Sequence, residues 1–168
     1  MNQTLSTPSL HNPTLRIAVI HSAWHDDIVA TARAAIRDEF TRHGRAEHIT
    51  VEIREYDVPG AFEIPLRAQL LATLASDARP DAIIACGFVV DGGIYRHEFV
   101  AAAVIDGLMR VQLDTGVPVF SAVLTPQQFH EHETHQQFFR EHMKHKGREV
   151  ANACLHTLDG MRRMAMAA

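Results

Sequence analysis

Ala82-Ile83-Ile84-Ala85-Cys86-Gly87-Phe88-Val89 is the run of residues that best indicates the fold of this chain. Nearly all of its side chains are apolar, and polar and apolar positions do not alternate. Strands that are buried on both faces have this pattern, and they occur in parallel sheets whose two faces are covered by helices. The run therefore predicts a central parallel strand.

Strand-like and helix-like patterns alternate on both sides of this run. Three more strands are predicted over residues 15–21, 49–58 and 118–124, and helices are predicted over 26–43, 63–75, 95–113 and 146–161. A long polar helical region precedes the last helix. This alternation with short connections predicts a doubly wound α/β fold built on a four-stranded parallel sheet.

Apolar residues recur at helical spacing in three of the predicted helices, and we expect them to face the core. They are Ile28, Ala32, Ala35, Ile36 and Phe40 in the first, Leu66, Leu70, Leu71 and Leu74 in the second, and Phe99, Ala103, Val104, Gly107 and Leu108 in the third.

Length and composition indicate one globular domain. A chain of 168 residues with 46% apolar content supports one hydrophobic core, and we expect a flexible N-terminal segment over 1–14 and a single domain over 15–168. The formal net charge of -4 and the lack of a basic stripe argue against a nucleic-acid partner. No apolar run is long enough to cross a membrane, and the polar residues 1–13 do not form a secretory signal.

The number and spacing of the cysteines favour a chain without disulfides. Cys86 and Cys154 are the two cysteines, they show no CxxC spacing, and Cys86 lies in a predicted buried strand. A small buried hydrophobic role is therefore expected for Cys86 in preference to a disulfide. The simplest compartment is the cytosol.

Two loops follow predicted strands and lead into predicted helices, namely 57–65 and 87–97. The carboxyl ends of parallel strands lie at one sheet edge, where open α/β proteins bind ligands. Pro59-Gly60 is compatible with an ordinary turn and helix start, but free N–H groups at such a helix start also bind polar ligand edges. We therefore expect the ligand-binding and catalytic residues to lie at this edge.

The second loop contains Gly92-Gly93 but is not a P-loop, because Gly93 stands where a lysine would be required. A glycine pair before a helix predicts an anion or phosphate nest. Arg96 and His97 follow it, and as adjacent helical residues they point about 100° apart. They are either functional groups at this nest or ordinary surface side chains.

Two further features suggest ligand contacts. Trp24, the one tryptophan, lies in the loop after the first strand, where it either packs against other residues or stacks on a ligand. A metal site is one hypothesis for the histidine-rich region, but no HExxH motif exists there. A solvated helix face, with one or two histidines directed to phosphate, is the preferred interpretation. These histidines are His130, His132, His135, His142 and His145.

Together these motifs resemble the lumazine synthase family of riboflavin biosynthesis, over residues 17–158. The most specific segments are Val58-Pro59-Gly60-Ala61-Phe62-Glu63-Ile64-Pro65 and Gly87-x-Val89-Val90-x-Gly92, with support from Thr115-Gly116-Val117-Pro118-Val119, Leu124-Thr125 and Lys146-Gly147. The resemblance implies a flavodoxin-like three-layer sandwich. It also implies condensation of 5-amino-6-(D-ribitylamino)uracil with 3,4-dihydroxy-2-butanone 4-phosphate to 6,7-dimethyl-8-ribityllumazine, without a metal or redox cofactor.

The resemblance also implies roles for individual residues. Trp24 matches the aromatic residue that stacks on the pyrimidine ring. The other matches fall in three groups: Ala61, Phe62 and Glu63 for the ribityl chain and ring, Phe88, Val89 and Val90 for backbone contacts to the pyrimidine, and Gly93 and Ile94 for the phosphate turn.

Several positions depart from the usual family pattern. Arg96 aligns with the general-base histidine, and Ser121 with an aromatic residue supplied by the neighbouring subunit. His135 aligns with the phosphate-binding arginine, and Arg140 follows further along. Such differences resemble the second type of lumazine synthase, a dimer of pentamers. Arg96 and His97 are the predicted catalytic residues.

Two alternatives to this function stay open at the level of sequence. A non-catalytic flavin- or lumazine-binding paralogue would use Trp24 equally well, and Arg96 in place of histidine is compatible with it. A histidine-dependent metallohydrolase is a weaker third alternative.

Overall fold

The computed structural model describes residues 14–92, 96–130 and 132–167. Four strands and four α-helices alternate along the chain, as the sequence predicts. They are β1 (Thr14–Ser22), α1 (Asp26–Glu47), β2 (Thr50–Val58), α2 (Ile64–Ala72) preceded by a 3-10 turn (Ala61–Glu63), β3 (Ala82–Phe88), α3 (His97–Thr115), β4 (Val119–Leu124) and α4 (Glu133–Ala167). Residues 1–13 of the predicted N-terminal segment lie outside the described residues.

The four strands form one parallel sheet in the order β2-β1-β3-β4. Ser22 pairs with Val58, and Phe88 pairs with Leu124, so all four strands end at the same edge. The change of strand order places β1 and β3 side by side in the middle of the sheet. This is the position at which open α/β sheets form their ligand crevice.

Helices cover both faces of the sheet, which confirms the three-layer α/β sandwich. One core cluster joins α1 and α4 to Ile17, Val19, Ile84 and Cys86, and the other joins α2 and α3 to residues of the opposite strand faces. Every residue of β3 is buried, as expected for a central strand. The predicted core face of α1 is confirmed at all five of its residues.

The predicted core faces of α2 and α3 are wrong in part. Leu71, Val104 and Leu108 are buried, whereas Leu66 and Leu70 on α2, Leu74 just beyond its end, and Phe99 on α3 are exposed. Ala103 is also exposed, and Gly107 is half-buried against Pro65. The sheet is instead covered by smaller or neighbouring residues, namely Ile64, Ala68 and Ala72 on α2 and Ala101 and Val111 on α3. Apolar spacing identifies a helix, but here it does not identify which side faces the sheet.

The C-terminal region is one continuous helix of 35 residues, α4, where the sequence predicts a polar region followed by a separate helix. Gly147 lies inside this helix at its crossing with α1. A Cβ atom at this glycine would lie 2.6 Å from the carbonyl oxygen of Ala32. The glycine therefore permits close approach of the two helices. Within the described part of the chain, no helix is both long and apolar enough to span a membrane.

Candidate active site

The loops that follow the strands are tied together at the carboxyl edge of the sheet. The backbone N–H of Ala23 donates to the carbonyl oxygen of Val58 at 2.9 Å, which connects the loop after β1 to the end of β2. The backbone N–H of Val89 donates to the carbonyl oxygen of Leu124 at 2.8 Å, which connects the ends of β3 and β4. The predicted site residues in these loops therefore belong to one edge.

The loop after β2 is fixed by Glu63. Its Oε2 accepts a hydrogen bond from the backbone N–H of Gly60 at 2.9 Å, and a Cβ atom at residue 60 would lie 3.1 Å from that oxygen. Glycine at this position leaves room for the carboxylate. Ala61 is half-buried and Phe62 is exposed beside it, so the predicted ribityl-binding segment is accessible and its backbone is held in place.

At the end of β3, Phe88 and Val89 are buried and Val90 is half-buried. The Phe88 ring packs inside the core, and the Val89 N–H is already used in the β-ladder. The Phe88 side chain is therefore not accessible to a ligand. The backbone contacts to a substrate that the sequence predicts for residues 88–90 stay a prediction.

A triangle of aromatic rings lies beneath this edge and was not predicted from the sequence. The centroid of the His25 ring lies 5.4 Å from that of Phe88 and 5.2 Å from that of Phe129, and the two phenyl rings are 5.1 Å apart. All three pairs are edge-to-face, the geometry that the ring quadrupole favours. The triangle joins the loops that follow β1, β3 and β4.

His135 belongs to the same aromatic group and not to a solvated helix face. It is half-buried, its ring stacks on that of Phe129, and its Nδ1 accepts the backbone N–H of His130 at 2.9 Å. Because Nδ1 accepts, the proton of the neutral ring is on Nε2. The remaining histidines of that region are exposed at positions 130, 132, 142 and 145. Among the described residues, no three His, Cys, Asp or Glu side chains form a group that could hold a metal ion.

Arg96 and His97 begin α3 and differ sharply in environment. The Arg96 side chain is 74% exposed, its guanidinium carbon lies 5.2 Å from the Phe99 ring centroid, and its Nε is 3.9 Å from a Glu98 carboxylate oxygen. The His97 side chain is 12% exposed, with Nδ1 3.7 Å from the same carboxylate. Gly93 and Ile94, the predicted phosphate turn, lie outside the described residues.

Arg140 is paired with carboxylates. Its guanidinium contacts Asp27 at 3.0 Å and Glu133 at 3.1 Å, and it also donates to Gln136. It therefore joins α4 to the start of α1. Ser121 is separate from the carboxyl edge of its own chain, because it lies within β4 and pairs with Ala85.

Both thiols are poor candidates for nucleophiles. Cys86 and Cys154 are free and buried, and burial raises the pKa of each to about 12. A thiol with such a pKa is protonated at neutral pH, and the thiolate is the reactive form. The prediction that Cys86 is a small buried hydrophobe is confirmed.

A buried polar group lies at the end of β1. His21 is 8% exposed, and its Nε2 lies 3.2 Å from the Arg33 guanidinium, which also contacts Asp26 and Glu55. Arginine only donates, so Nε2 accepts and the ring proton is on Nδ1. Burial and, to a smaller extent, Arg33 lower the pKa of His21 below 6.5.

This lowered pKa predicts a pH-dependent stability. Between the folded pKa of His21 and the value of 6.5, the unfolded chain binds more protons than the folded chain. The free energy of unfolding should therefore fall as the pH decreases below about 6.5, and this contribution should be constant at higher pH. Urea unfolding at pH 7.5 and 5.5 measures the change, which should be smaller in His21→Leu.

The exposed His142 provides the control for this experiment. His142→Leu should retain the pH dependence of the unmodified chain, because its imidazole lies on the solvent-facing side of α4. Equal pH dependence in the His21→Leu variant and the unmodified chain would contradict the role given to His21.

The fold and the site define a class of protein, an open parallel α/β protein of the flavodoxin-like type with a ligand edge formed by strand-end loops. Comparison with known proteins identifies the family. The sequence model of 6,7-dimethyl-8-ribityllumazine synthase matches residues 14–162. The chain belongs to the lumazine synthase family, whose members are transferase-type enzymes of riboflavin biosynthesis.

Individual relatives support the same assignment. The chain is 52% identical to 6,7-dimethyl-8-ribityllumazine synthase 2 of Bradyrhizobium diazoefficiens, with 95% of this chain and 94% of the relative covered. It is 53% identical to 6,7-dimethyl-8-ribityllumazine synthase of Rhodococcus erythropolis, with coverages of 88% and 91%. Synthase 2 of Pseudomonas syringae pv. tomato is 48% identical, with coverages of 94% and 89%.

Proposed function

We propose that this chain joins 5-amino-6-(D-ribitylamino)uracil to 3,4-dihydroxy-2-butanone 4-phosphate at the carboxyl edge of its sheet, forming 6,7-dimethyl-8-ribityllumazine and releasing phosphate and water. The observation that carries the proposal is the convergence of the Trp24 loop, the 59–63 loop and the 88–90 segment at one edge. The family match over residues 14–162 supports the same chemistry. The names of the relatives do not favour the non-catalytic alternative.

The reaction requires two substrates to be held side by side. The 5-amino group of the uracil attacks the ketone to give an imine with loss of water, phosphate then leaves, and ring closure with a second loss of water completes the lumazine. Holding two reactants in a reactive geometry supplies about 7–11 kcal/mol of barrier reduction in favourable cases. Trp24, which is 72% exposed, offers a flat surface for the uracil, and residues 61–63 lie on the adjoining loop.

Arg96 and His97 are suited to different steps. Arginine stays protonated in proteins, so Arg96 does not serve as a base but does stabilise phosphate charge through paired hydrogen bonds. Its guanidinium is exposed, and its ion pair with Glu98 is long at 3.9 Å. Imidazole transfers protons near neutral pH, and we assign that role to His97, with His135 as the second imidazole at this edge.

We further propose that the chain acts as a homo-oligomer, a pentamer or a dimer of two pentamers, and that it is a single cytoplasmic domain. Exposed apolar residues follow α2 and α3 at intervals of four, which supports an interface between copies. We call this set the α2–α3 apolar surface: Leu66, Leu70, Leu74, Ile105, Met109 and Leu113.

Lumazine formation measured by absorbance, above the spontaneous rate and with both substrates present, tests the proposed activity. Formation well above background is the expected result. A folded oligomer that binds riboflavin tightly and shows no turnover would instead select the non-catalytic paralogue.

Arg96→Ala tests the proposed phosphate contact. A hydrogen bond to a charged group contributes about 1.5–3 kcal/mol, so kcat/KM for the butanone phosphate should fall about 10- to 100-fold. Arg96→Lys should lose less, because it keeps the charge without the paired geometry. The KM for the uracil substrate should change little. Unchanged kinetics in Arg96→Ala would remove this residue from the mechanism.

A further inference from the structure

Trp24 is flanked by two residues that are fixed to other parts of the fold. On one side, the backbone N–H of Ala23 donates to the carbonyl oxygen of Val58 at 2.9 Å. On the other side, the His25 ring contacts Phe88 and Phe129. The indole between these two anchors is 72% exposed. Its orientation therefore depends on the residues before and after it.

His25 lies at the start of α1 in a left-handed backbone conformation. It precedes α1 as the N-cap residue, yet its side chain makes no capping hydrogen bond to the helix. Its backbone is in the left-handed region, with φ 54° and ψ 42°, which non-glycine residues adopt infrequently, although histidine, asparagine and aspartate do so more often than the others. The backbone conformation is therefore compatible with histidine, but helix capping does not account for the position of its side chain.

Contacts with two phenyl rings fix the position of the His25 side chain. The left-handed backbone turns the His25 side chain toward the core side of the edge, where it meets both phenyl rings edge-on at 5.4 and 5.2 Å. Phe88 is itself buried, and Phe129 packs against Phe139 of α4. The histidine ring is thus anchored to β3 and to the loop after β4, and the adjacent Trp24 remains at the surface.

We propose that His25 is a positioning residue that restricts the Trp24 indole to the orientation in which it receives the pyrimidine ring. The proposal rests on the proposed stacking role of Trp24 and deepens it. Ordering a side chain before the ligand arrives removes part of the entropic cost of binding. Loss of the His25 ring should therefore raise KM for the uracil substrate about 3- to 10-fold, with a smaller change in kcat.

The test uses the single tryptophan of the chain as its reporter. Time-resolved fluorescence anisotropy of the ligand-free protein measures the local motion of Trp24 directly. His25→Asn removes the ring and keeps a residue that tolerates the left-handed backbone. Phe129→Leu removes the opposing ring without changing the backbone beside Trp24. His142→Asn, at an exposed site on α4, is the matched control.

We expect faster local motion of Trp24 and a higher KM for the uracil substrate in both His25→Asn and Phe129→Leu, with no change in His142→Asn. Unchanged anisotropy in both of the first two variants would overturn the proposal.

One further result separates this inference from the proposed function. Faster indole motion with an unchanged KM for the uracil substrate would overturn the positioning role in binding. Trp24→Ala would then show whether the stacking role fails as well. An unaltered KM in that variant contradicts the proposed function, whereas a raised KM leaves it in place and removes only the role of His25.

Discussion

Replacing Leu70 and Met109 together with glutamate is expected to convert the protein to monomers and to lower its kcat/KM by about 100-fold or more. The two residues lie on the α2–α3 apolar surface, Leu70 56% and Met109 50% exposed in the single chain. Three such residues lie four positions apart on α3, and Leu66 and Leu70 on α2 continue to Leu74 just beyond its end, so each set forms a stripe on the outer side. A contiguous apolar area of this kind marks an interaction site.

The size of the effect follows from burial. Covering a leucine or methionine side chain contributes about 1.5–3 kcal/mol, and a carboxylate in the centre of an apolar interface loses its hydration as well. Activity is expected to fall when assembly is lost. The reason is that Ser121, a predicted substrate-binding position, lies away from the carboxyl edge of its own chain. The resemblance to the family gives that position to the neighbouring subunit.

Sedimentation velocity and the lumazine assay, performed on the same samples, measure both effects. Ala34→Glu is the control, because it introduces a glutamate, with one negative charge where the tested variant has two, at an exposed position of α1 on the opposite face of the sheet. It should leave the assembly and the activity unchanged. A Leu70→Glu/Met109→Glu protein that stays assembled would show that another surface carries the contact between copies.

The sequence determined most of the architecture because its periodic signals are local. The uninterrupted apolar run of β3 and the alternation of elements were sufficient to predict the parallel sheet and the edge that holds the site. The same periodicity led to the wrong face of α2. Leu66, Leu70 and Leu74 have the spacing of a core stripe, and burial by a second subunit would produce the same spacing as burial by the sheet.

The contacts within the site were harder to predict because they join distant positions. Nothing in the residues around His25 indicates that Phe88 and Phe129 will meet its ring, since these contacts depend on how three loops converge. The sequence predicts His135 only as a substrate-binding position in a largely solvated region, and its contact with the Phe129 ring was missed for the same reason. The Glu63–Gly60 hydrogen bond was not predicted either, although it spans only three residues of the quoted motif.

Gly147→Ala and Gly160→Ala are expected to change the stability of the protein in opposite directions, although both place the same methyl group inside α4. Alanine is favoured over glycine within a helix by about 1 kcal/mol. No atom lies within 4 Å of the Cβ position at Gly160, so that variant should gain most of this amount. It serves as the control for the substitution itself.

At Gly147 the added methyl group meets the α1 backbone. Its Cβ would lie 2.6 Å from the Ala32 carbonyl oxygen, 2.9 Å from the Ala32 Cα and 3.0 Å from the Ala35 Cβ. Two of these are backbone atoms, so the helices must separate, and overpacking of this kind costs about 1–3 kcal/mol or more. The gain in helix propensity is common to both variants, so urea unfolding should show Gly147→Ala to be the less stable variant by about 1–3 kcal/mol. Equal midpoints in the two variants would mean that α1 and α4 adjust without cost, and that helix propensity alone decides both positions.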